Sequence, residues 1–364
     1  MPKPIRFTKI AVSLAVVAAT LTFAPALSVQ AAAATASTQK TPARASAKKP
    51  VAKKKTTYSP TTAKARRATL AWAREAVHTR ELRELQTPRF RVDEFGREVP
   101  DVRAEAAIIY NPETGEVLWE NHSKDQRSMA SITKVMTALV FLESNTPLST
   151  IVTVQTSDVA HASTTYIRKG FVMPAEDLLN LLLVGSDNAA ARALARSSLL
   201  GYDAFIRRMN EKAKELGLEN TVYADPSGLL AENVSSAYDL ARLIAYAAAD
   251  ERIGAIMRKS SFSTMIGKQM VTAHSTNQIV RAGDIDVVGG KTGFIGRSGY
   301  CLATLLRLPQ SGQQVAFVVL GAKTNASRFW ETRHLFNWMT SRTKALLEGD
   351  FQHQPPQDQH QQQH

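Results

Sequence analysis

Hydrophobic residues follow two different periods along the chain, and the period changes twice. Apolar runs at 104–110 and 116–122, joined by the turn-rich stretch Asn-Pro-Glu-Thr-Gly, predict a β-hairpin. Helical spacing follows, and strand-like runs return at 286–294, 299–308 and 313–323. Strands on both sides of a mostly helical middle indicate an α/β (α+β) fold. We expect an antiparallel sheet built from distant segments, flanked by helices, with a helical lobe at about 155–260.

The predicted helices share apolar positions three and four residues apart. One of them, residues 131–144, has an apolar stripe formed by Ile132, Val135, Met136 and Leu139. The others cover 69–85, 175–199 with a break near Ser186, 201–218, 236–250 and 328–348. We therefore expect one globular unit at 69–346.

The net charge of +13 is located at the N-terminal end of the chain. Residues 1–67 contain 13 Lys and Arg and no acidic residue, whereas residues 68–364 contain 32 basic and 32 acidic residues. A neutral globular part lacks the basic face that nucleic-acid-binding folds present. We therefore predict that nucleic acid is not a partner.

The N-terminal end has the pattern of a secretory signal peptide. A basic start is followed by an apolar segment that contains Pro25, and small residues near 29–33 form a cleavage-like site. We predict a signal peptide at 1–31, although an apolar segment of this length is also nearly sufficient for a membrane anchor. Export places the protein in the periplasm or at the cell wall.

Residues 32–68 and 347–364 lack apolar periodicity, so we predict that both are disordered. The first is a basic linker rich in Ala, Lys, Thr and Pro, and the second is a Gln/His-rich tail. The positive charges of the linker suit contact with anionic wall polymer or a membrane surface, and a solvated spacer is an equal alternative. Cys301 is the only cysteine, so no intrachain disulfide can form.

Three short motifs carry the candidate chemistry. Ser131 and Lys134 have the spacing Ser-x-x-Lys, Ser186 and Asn188 have the spacing Ser-x-Asn, and Lys291 begins Lys-Thr-Gly. The first two spacings recur elsewhere in the chain, so neither is specific alone, whereas Lys-Thr-Gly occurs once. All three, in this order and at domain-scale separations, form the signature of penicillin-interacting serine enzymes.

The residue types in these motifs fit nucleophilic catalysis. A serine hydroxyl needs an adjacent base, and Lys134 follows Ser131 by about one helical turn. An ordinary lysine, with a pKa of ~10.4, is protonated, so burial and the charge of Lys291 must lower the pKa of Lys134 to about 7. The backbone N–H of Ser131, at a helix start, can face an oxyanion. Ser186 can then pass the proton to the leaving amine.

The remaining motif residues suit recognition of a peptide. Asn188 can donate a hydrogen bond to a substrate amide, and Lys291 and Thr292 can offer a charge and a hydroxyl to a carboxylate. Gly293 leaves room for an extended peptide beside its strand. We predict neither a metal nor an organic cofactor.

With these motifs in place, the sequence resembles the low-molecular-mass penicillin-binding proteins of the serine D-Ala-D-Ala carboxypeptidase family, and within it the endopeptidase type. The likeness extends from about Ala104 to Met339 and includes "ASITKVMTALV", "ADPSGL", "GGKTGF" and "GYCLA". It implies a β-lactamase/D,D-peptidase-like fold. It also implies peptidoglycan stem peptides containing D-Ala as substrates, and β-lactam antibiotics as covalent inhibitors.

The resemblance further implies roles for individual residues. It makes Ser131 the acyl-enzyme nucleophile and Lys134 the proton acceptor. It makes Ser186 a further active-site residue and Lys291 a substrate binder. The N–H of Phe294 would complete the oxyanion hole with that of Ser131. Arg328 would lie near the substrate carboxylate.

Three alternatives stay open. Carboxypeptidases of the family usually carry a second, β-rich domain and an amphipathic anchor helix, whereas about 25 residues follow Met339, and we therefore expect an endopeptidase acting on cross-links rather than a carboxypeptidase. Class A β-lactamases deacylate with the glutamate of a Glu-x-x-Asn loop, and residues 189–290 contain no such pair. A non-catalytic penicillin-binding sensor would normally lack one catalytic residue, and all are present.

Deletion of residues 32–67 tests the basic linker. We expect the shortened protein to bind isolated cell-wall sacculi more weakly at low salt, with the difference vanishing at high salt, because exposed charges are screened. Its reaction with labelled penicillin should match that of the full protein. Equal retention of both proteins on sacculi at every salt concentration would show that the linker is only a spacer.

Overall fold

The computed structural model describes residues 60–348. The predicted signal peptide, residues 32–59 of the predicted linker and residues 349–364 of the predicted tail lie outside this range. The helices are α1 (Pro60–Gln86), α2 (Lys134–Glu143), α3 (Thr156–Val159), α4 (Ala175–Val184), α5 (Asn188–Ser197), α6 (Tyr202–Glu215), α7 (Ala237–Ala249), α8 (Glu251–Met257), α9 (Gln278–Ala282) and α10 (Asn325–Glu348). The strands are β1 (Phe90–Val92), β2 (Glu98–Pro100), β3 (Ala106–Tyr110), β4 (Val117–Asn121), β5 (Arg127–Ser128), β6 (Ile151–Thr153), β7 (Val172–Pro174), β8 (Val234–Ser235), β9 (Ser261–Ile266), β10 (Gln269–His274), β11 (Val287–Ile295), β12 (Gly299–Arg307) and β13 (Gln314–Ala322).

The main sheet has five antiparallel strands in the order β11-β12-β13-β3-β4. The predicted hairpin supplies β3 and β4, and the three C-terminal runs supply the other strands. The two groups meet where β13 pairs with β3, with Ala316 opposite Tyr110. The predicted fold class, with its antiparallel sheet built from distant segments, is confirmed. Strand β11 forms one edge of this sheet.

Both faces of the sheet are covered. On β13, Val318 and Leu320 face a core shared with α2 and α4 to α8, whereas Phe317 and Val319 face a second core shared with α10. Because alternate residues enter different cores, the inner strands read as continuous apolar runs. Helices therefore pack on each side of the sheet.

The start of α2 differs from its prediction. Ala130–Thr133 form a 3-10 turn, and the α-helix begins only at Lys134. All residues from Lys134 to Leu142 are buried, so the helix has no exposed polar face beside the predicted stripe. A helix that is enclosed on all sides must be apolar all round. Lys134 is the charged exception.

The start of α1 also differs from its prediction. The helix begins at Pro60, so the last nine residues of the predicted disordered linker are helical. Ala, Lys and Arg are frequent in this stretch and have high helix propensity, which does not require apolar periodicity. Proline is also well tolerated in the first turn of a helix. Within residues 60–348, no helix is long and apolar enough to cross a membrane.

Candidate active site

The fold brings the three sequence motifs together. Ser131 lies in the 3-10 turn before α2, Ser186 lies between α4 and α5, and Lys291 lies on β11. Lys134 Nζ is 2.8 Å from Ser131 Oγ, and Lys291 Nζ is 2.8 Å from Ser186 Oγ. Asn188 connects the first two motifs, because its Oδ1 accepts a hydrogen bond from Lys134 at 2.6 Å.

Lys134 is enclosed by oxygen atoms. Besides Ser131 Oγ and Asn188 Oδ1, the carbonyl oxygen of Ser227 lies 2.6 Å from Lys134 Nζ. The side chain is fully buried, with 0% of its surface exposed. Three oxygen atoms therefore fix the position of an amine that has no contact with bulk solvent.

Burial lowers the pKa of Lys134 to about 7, because an ammonium loses its hydration when it leaves water. The carboxylates of Asp225 and Asp187 oppose this shift, and the guanidinium of Arg192 adds to it. Burial also holds the pKa of Lys291 well below its ordinary value, assisted by the positive charge of Lys134. The charge of Lys134 thus favours the neutral form of Lys291, whereas Arg192 and not Lys291 adds to the shift of Lys134.

The loop that contains Ser186 is held by its neighbour Asp187. Asp187 caps the N-terminus of α5 by accepting from the backbone N–H of Ala190 at 2.9 Å, and it also accepts from the N–H of Tyr166 at 2.6 Å. Ser186 has a left-handed backbone with φ of 59°, a conformation that costs a non-glycine residue free energy. This strained turn directs the Ser186 hydroxyl to Lys291.

Asn188 makes contacts within the protein, and its predicted contact with substrate stays a prediction. Its Nδ2 donates to the carbonyl oxygen of Ala162 at 2.6 Å, and its Oδ1 accepts from Lys134. Asn188 is also buried. Asn188 therefore positions Lys134 through Oδ1, while the second hydrogen of its Nδ2 has only a contact of 3.4 Å with Ser163 Oγ.

Thr292 and Gly293 lie beside the Ser131 turn. The Thr292 hydroxyl is 2.6 Å from that of Thr276, a neighbour that the sequence did not indicate. A Cβ atom at Gly293 would lie 2.6 Å from the carbonyl oxygen of Met129 and 3.2 Å from the backbone nitrogen of Ser131. The absence of a side chain therefore lets β11 approach the Ser131 turn closely. This reason differs from the predicted one, which was room for a substrate.

Phe294 follows Gly293 on β11, at the edge of the sheet. Its side chain is about half exposed and stacks on Tyr300, with ring centroids 4.1 Å apart. The stack anchors the part of β11 whose backbone N–H was expected in the oxyanion hole.

Arg328 is buried behind β11. Its Nη1 donates to the carbonyl oxygens of Gly293 at 2.9 Å and Cys301 at 3.1 Å, and its Nη2 donates to Asn325 Oδ1 at 2.5 Å. Burial lowers the pKa of Arg328 to about 10. Within residues 60–348 no carboxylate lies within ion-pair distance of this guanidinium. Arg328 therefore supports the two strands and places a positive charge beside the predicted carboxylate site.

A turn at 225–230 belongs to the site and was not predicted as part of it. Asp225 accepts hydrogen bonds from the backbone N–H groups of Ser227 at 2.8 Å and Leu230 at 3.1 Å. These bonds fix the Ser227 carbonyl that accepts from Lys134. Gly228 has φ of 80°, and a Cβ atom there would overlap the carbonyl oxygen of Ala130 and lie 2.9 Å from Ser131 N. The stretch "ADPSGL" carried a turn signal, but nothing in it indicated contact with the nucleophile turn.

Comparison with known protein families matches residues 93–324 to a peptidase family described as D-alanyl-D-alanine carboxypeptidase. The chain belongs to this D-alanyl-D-alanine carboxypeptidase family. The family consists of serine peptidases, so the predicted enzyme class is confirmed. The three motifs that have the family's spacing are the ones that the fold brings together in this site.

Relatives of this D-alanyl-D-alanine carboxypeptidase family member include two endopeptidases. The chain is 32% identical to the D-alanyl-D-alanine endopeptidase of Escherichia coli over 66% of this chain and 78% of that protein. It is 35% identical to the D-alanyl-D-alanine endopeptidase of Haemophilus influenzae over 62% of this chain and 78% of that protein. Its fold is similar to that of the Streptomyces K15 DD-transpeptidase, with a TM-score of 0.62, 26% identity, and coverage of 66% of this chain and 98% of that one.

Gly228→Ala tests the close approach between the 225–230 turn and the Ser131 turn in this family member. We expect the free energy of unfolding to fall by roughly 3 kcal/mol or more and penicillin labelling to slow, because the methyl group has no space and the backbone is left-handed. Gly267→Ala is a matched control, since Gly267 also has a positive φ of 61° but faces open space. It should cost only about 1 kcal/mol. Equal effects in chemical denaturation would contradict the packing argument.

Proposed function

We propose that this protein cleaves D-Ala-containing cross-links of peptidoglycan through an acyl-enzyme at Ser131. Cleavage of the terminal D-Ala-D-Ala bond is the second candidate. The observation that carries the proposal is the set of contacts around Lys134. A neutral amine has two hydrogen atoms and one lone pair, and Lys134 has two acceptors that cannot donate, Asn188 Oδ1 and the Ser227 carbonyl. If its hydrogen atoms occupy these two, its lone pair faces the Ser131 hydroxyl.

The proposed reaction, acylation followed by hydrolysis, follows from this arrangement. Ser131 Oγ attacks the carbonyl carbon of D-Ala while its proton moves to Lys134 Nζ. The oxyanion that forms is stabilised by the backbone N–H groups of Ser131 and Phe294. When the C–N bond breaks, Ser186, held by Lys291, donates its proton to the leaving amine and recovers one from Lys134. Water then hydrolyses the ester and regenerates Ser131.

The edge position of β11 supports a peptide substrate. Because β11 has a neighbour on one side only in the main sheet, an extended peptide can align along its free side and add main-chain hydrogen bonds. Lys291 and Thr292 then lie on the side of the leaving group. Lys291, Thr292 and the charge of Arg328 suit a carboxylate there, which a carboxypeptidase substrate also has. This shared feature keeps the carboxypeptidase as the second candidate.

The names of the relatives favour the endopeptidase. The two relatives described above are both D-alanyl-D-alanine endopeptidases, and the chain covers more than two thirds of each. We also propose that the protein is exported by its predicted signal peptide and that β-lactams acylate it covalently. The basic linker would hold it near anionic wall polymer or a membrane surface.

The pH dependence of acylation tests Lys134 as the base. The rate of labelling by a fluorescent penicillin should rise as the pH increases through about 7 and fall about tenfold for each unit below it, because only the neutral amine accepts the proton. Ser131→Ala should abolish labelling, and Lys134→Arg should nearly abolish it, since a guanidinium stays protonated. Ser128→Ala is the control and should be labelled. Labelling that persists in Ser131→Ala, or a flat profile between pH 5 and 8, would refute the assignment.

Purified muropeptides distinguish the two candidate substrates. We expect cross-linked dimers to be converted to monomers faster than D-Ala is released from monomeric pentapeptide, with products identified by mass spectrometry. Ser131→Ala serves as the blank for contaminating hydrolases. Rapid release of D-Ala with the dimers left intact would establish the carboxypeptidase instead.

A further inference from the structure

A polar groove of about 690 Å³ lies between the short β5–β8 ladder and the turn that joins β11 to β12. Arg127, Ser128 and Glu232 line one part of it, and Arg297 and Ser298 line the other. None of these residues takes part in the chemistry proposed above. Ser128 nevertheless precedes Ser131 by only three residues, and Arg297 follows Gly293 by four, so the lining is close to the active-site residues in sequence.

The direction of β11 connects this groove to the substrate. The strand carries Lys291 and Thr292 first, passes the Ser131 turn at Gly293, and then enters the turn that contains Arg297. A peptide aligned on β11 with its leaving group near Lys291 therefore extends its acyl side toward Arg297. Extended chain advances about 3.3 Å per residue. The groove is thus within reach of residues roughly two to four positions before the scissile bond.

The charges in the groove favour one negative group. Among the described residues, Arg297 has neither an ion-pair partner nor a hydrogen-bond partner, whereas Arg127 is paired with Glu105. Ser128 is 92% buried, and its hydroxyl has no hydrogen-bond partner in the described part of the chain. Glu232 partly offsets the positive charge of Arg297, so the lining has no large positive excess. A single carboxylate suits this lining better than a polyanionic polymer.

We propose that this groove is a subsite for a carboxylate on the acyl-donor peptide, with Arg297 as its binding residue. The subsite rests on the proposed function, because it lies on the acyl side only if Ser131 is the nucleophile. It assigns the enzyme a preference for acidic donor peptides over their uncharged analogues. Arg297 acts on binding, so the preference belongs mainly to KM.

Two synthetic cross-linked dimers, whose donor peptide ends at the D-Ala of the cross-link, test the subsite. They differ only in one carboxylate upstream of the scissile bond, which is free in one dimer and amidated in the other. We expect wild type to prefer the free carboxylate by about fivefold in kcat/KM, the size of an exposed charge interaction, and Arg297→Gln to reduce this ratio to about one. Arg307→Gln, at the opposite end of β12, is the matched control and should keep the wild-type ratio.

Active sites are counted by stoichiometric penicillin labelling, so that a partly unfolded variant does not alter the ratio. A wild type that does not distinguish the peptides, or an Arg297→Gln variant that keeps the preference, would overturn the subsite. So would an Arg297→Gln variant that loses retention on anionic wall polymer while its peptide preference stays intact. Failure of wild type to be labelled at Ser131 would instead overturn the proposed function.

Discussion

A buried amine surrounded by oxygen atoms holds the separate parts of this site together. Lys134 contacts Ser131 from its own turn, Asn188 from α5 and the Ser227 carbonyl from the turn at 225–230. Lowering the pKa of a lysine from 10.5 to about 7 corresponds to roughly 5 kcal/mol. That free energy must come from the packing of the sheet and helices around α2. The structure thus uses part of its stability to keep a base neutral.

Three basic side chains, Lys134, Lys291 and Arg328, are buried near β11. None of them has an ion pair in the described part of the chain, although Asp187 and Asp225 act on Lys134 from a greater distance. Burial lowers the pKa of each group, and the charge of Lys134 lowers that of Lys291 further. A site whose basic groups have no direct ion-pair partner can offer them to an anion, such as a developing oxyanion or a substrate carboxylate. Folding therefore supplies the free energy needed to bury these basic groups, before any ligand binds.

The sequence predicted those parts of the structure that depend on side-chain type. The five strands, the helical middle and the meeting of Ser131, Lys134, Ser186 and Lys291 follow from periodicity and from motifs. The hairpin of β9 and β10 was missed, because its strands are largely exposed and alternate polar residues with methionine instead of following a buried apolar stripe.

Contacts made by the backbone were not predictable in this way. The Ser227 carbonyl accepts from Lys134 whatever side chain residue 227 carries, and the packing at Gly228 depends on a neighbour nearly a hundred residues away. The contacts of Asn188 with Lys134 and Ala162 were not predicted either, because a motif identifies a residue type but not the partner of each of its atoms. Such partners depend on tertiary structure alone.

The pairing of β13 with β3 has a consequence for how the chain folds. Ala316 meets Tyr110 only after about two hundred intervening residues have been synthesised, and an isolated two-stranded hairpin such as β3–β4 is marginally stable in water. Closing so long a segment costs entropy that is recovered only when the sheet assembles, which makes folding slow and cooperative. Lys291 lies on β11, at the edge of the same sheet. A chain that ends before β13 therefore lacks both a folded core and an assembled active site, so a partial product of synthesis cannot act as an uncontrolled hydrolase.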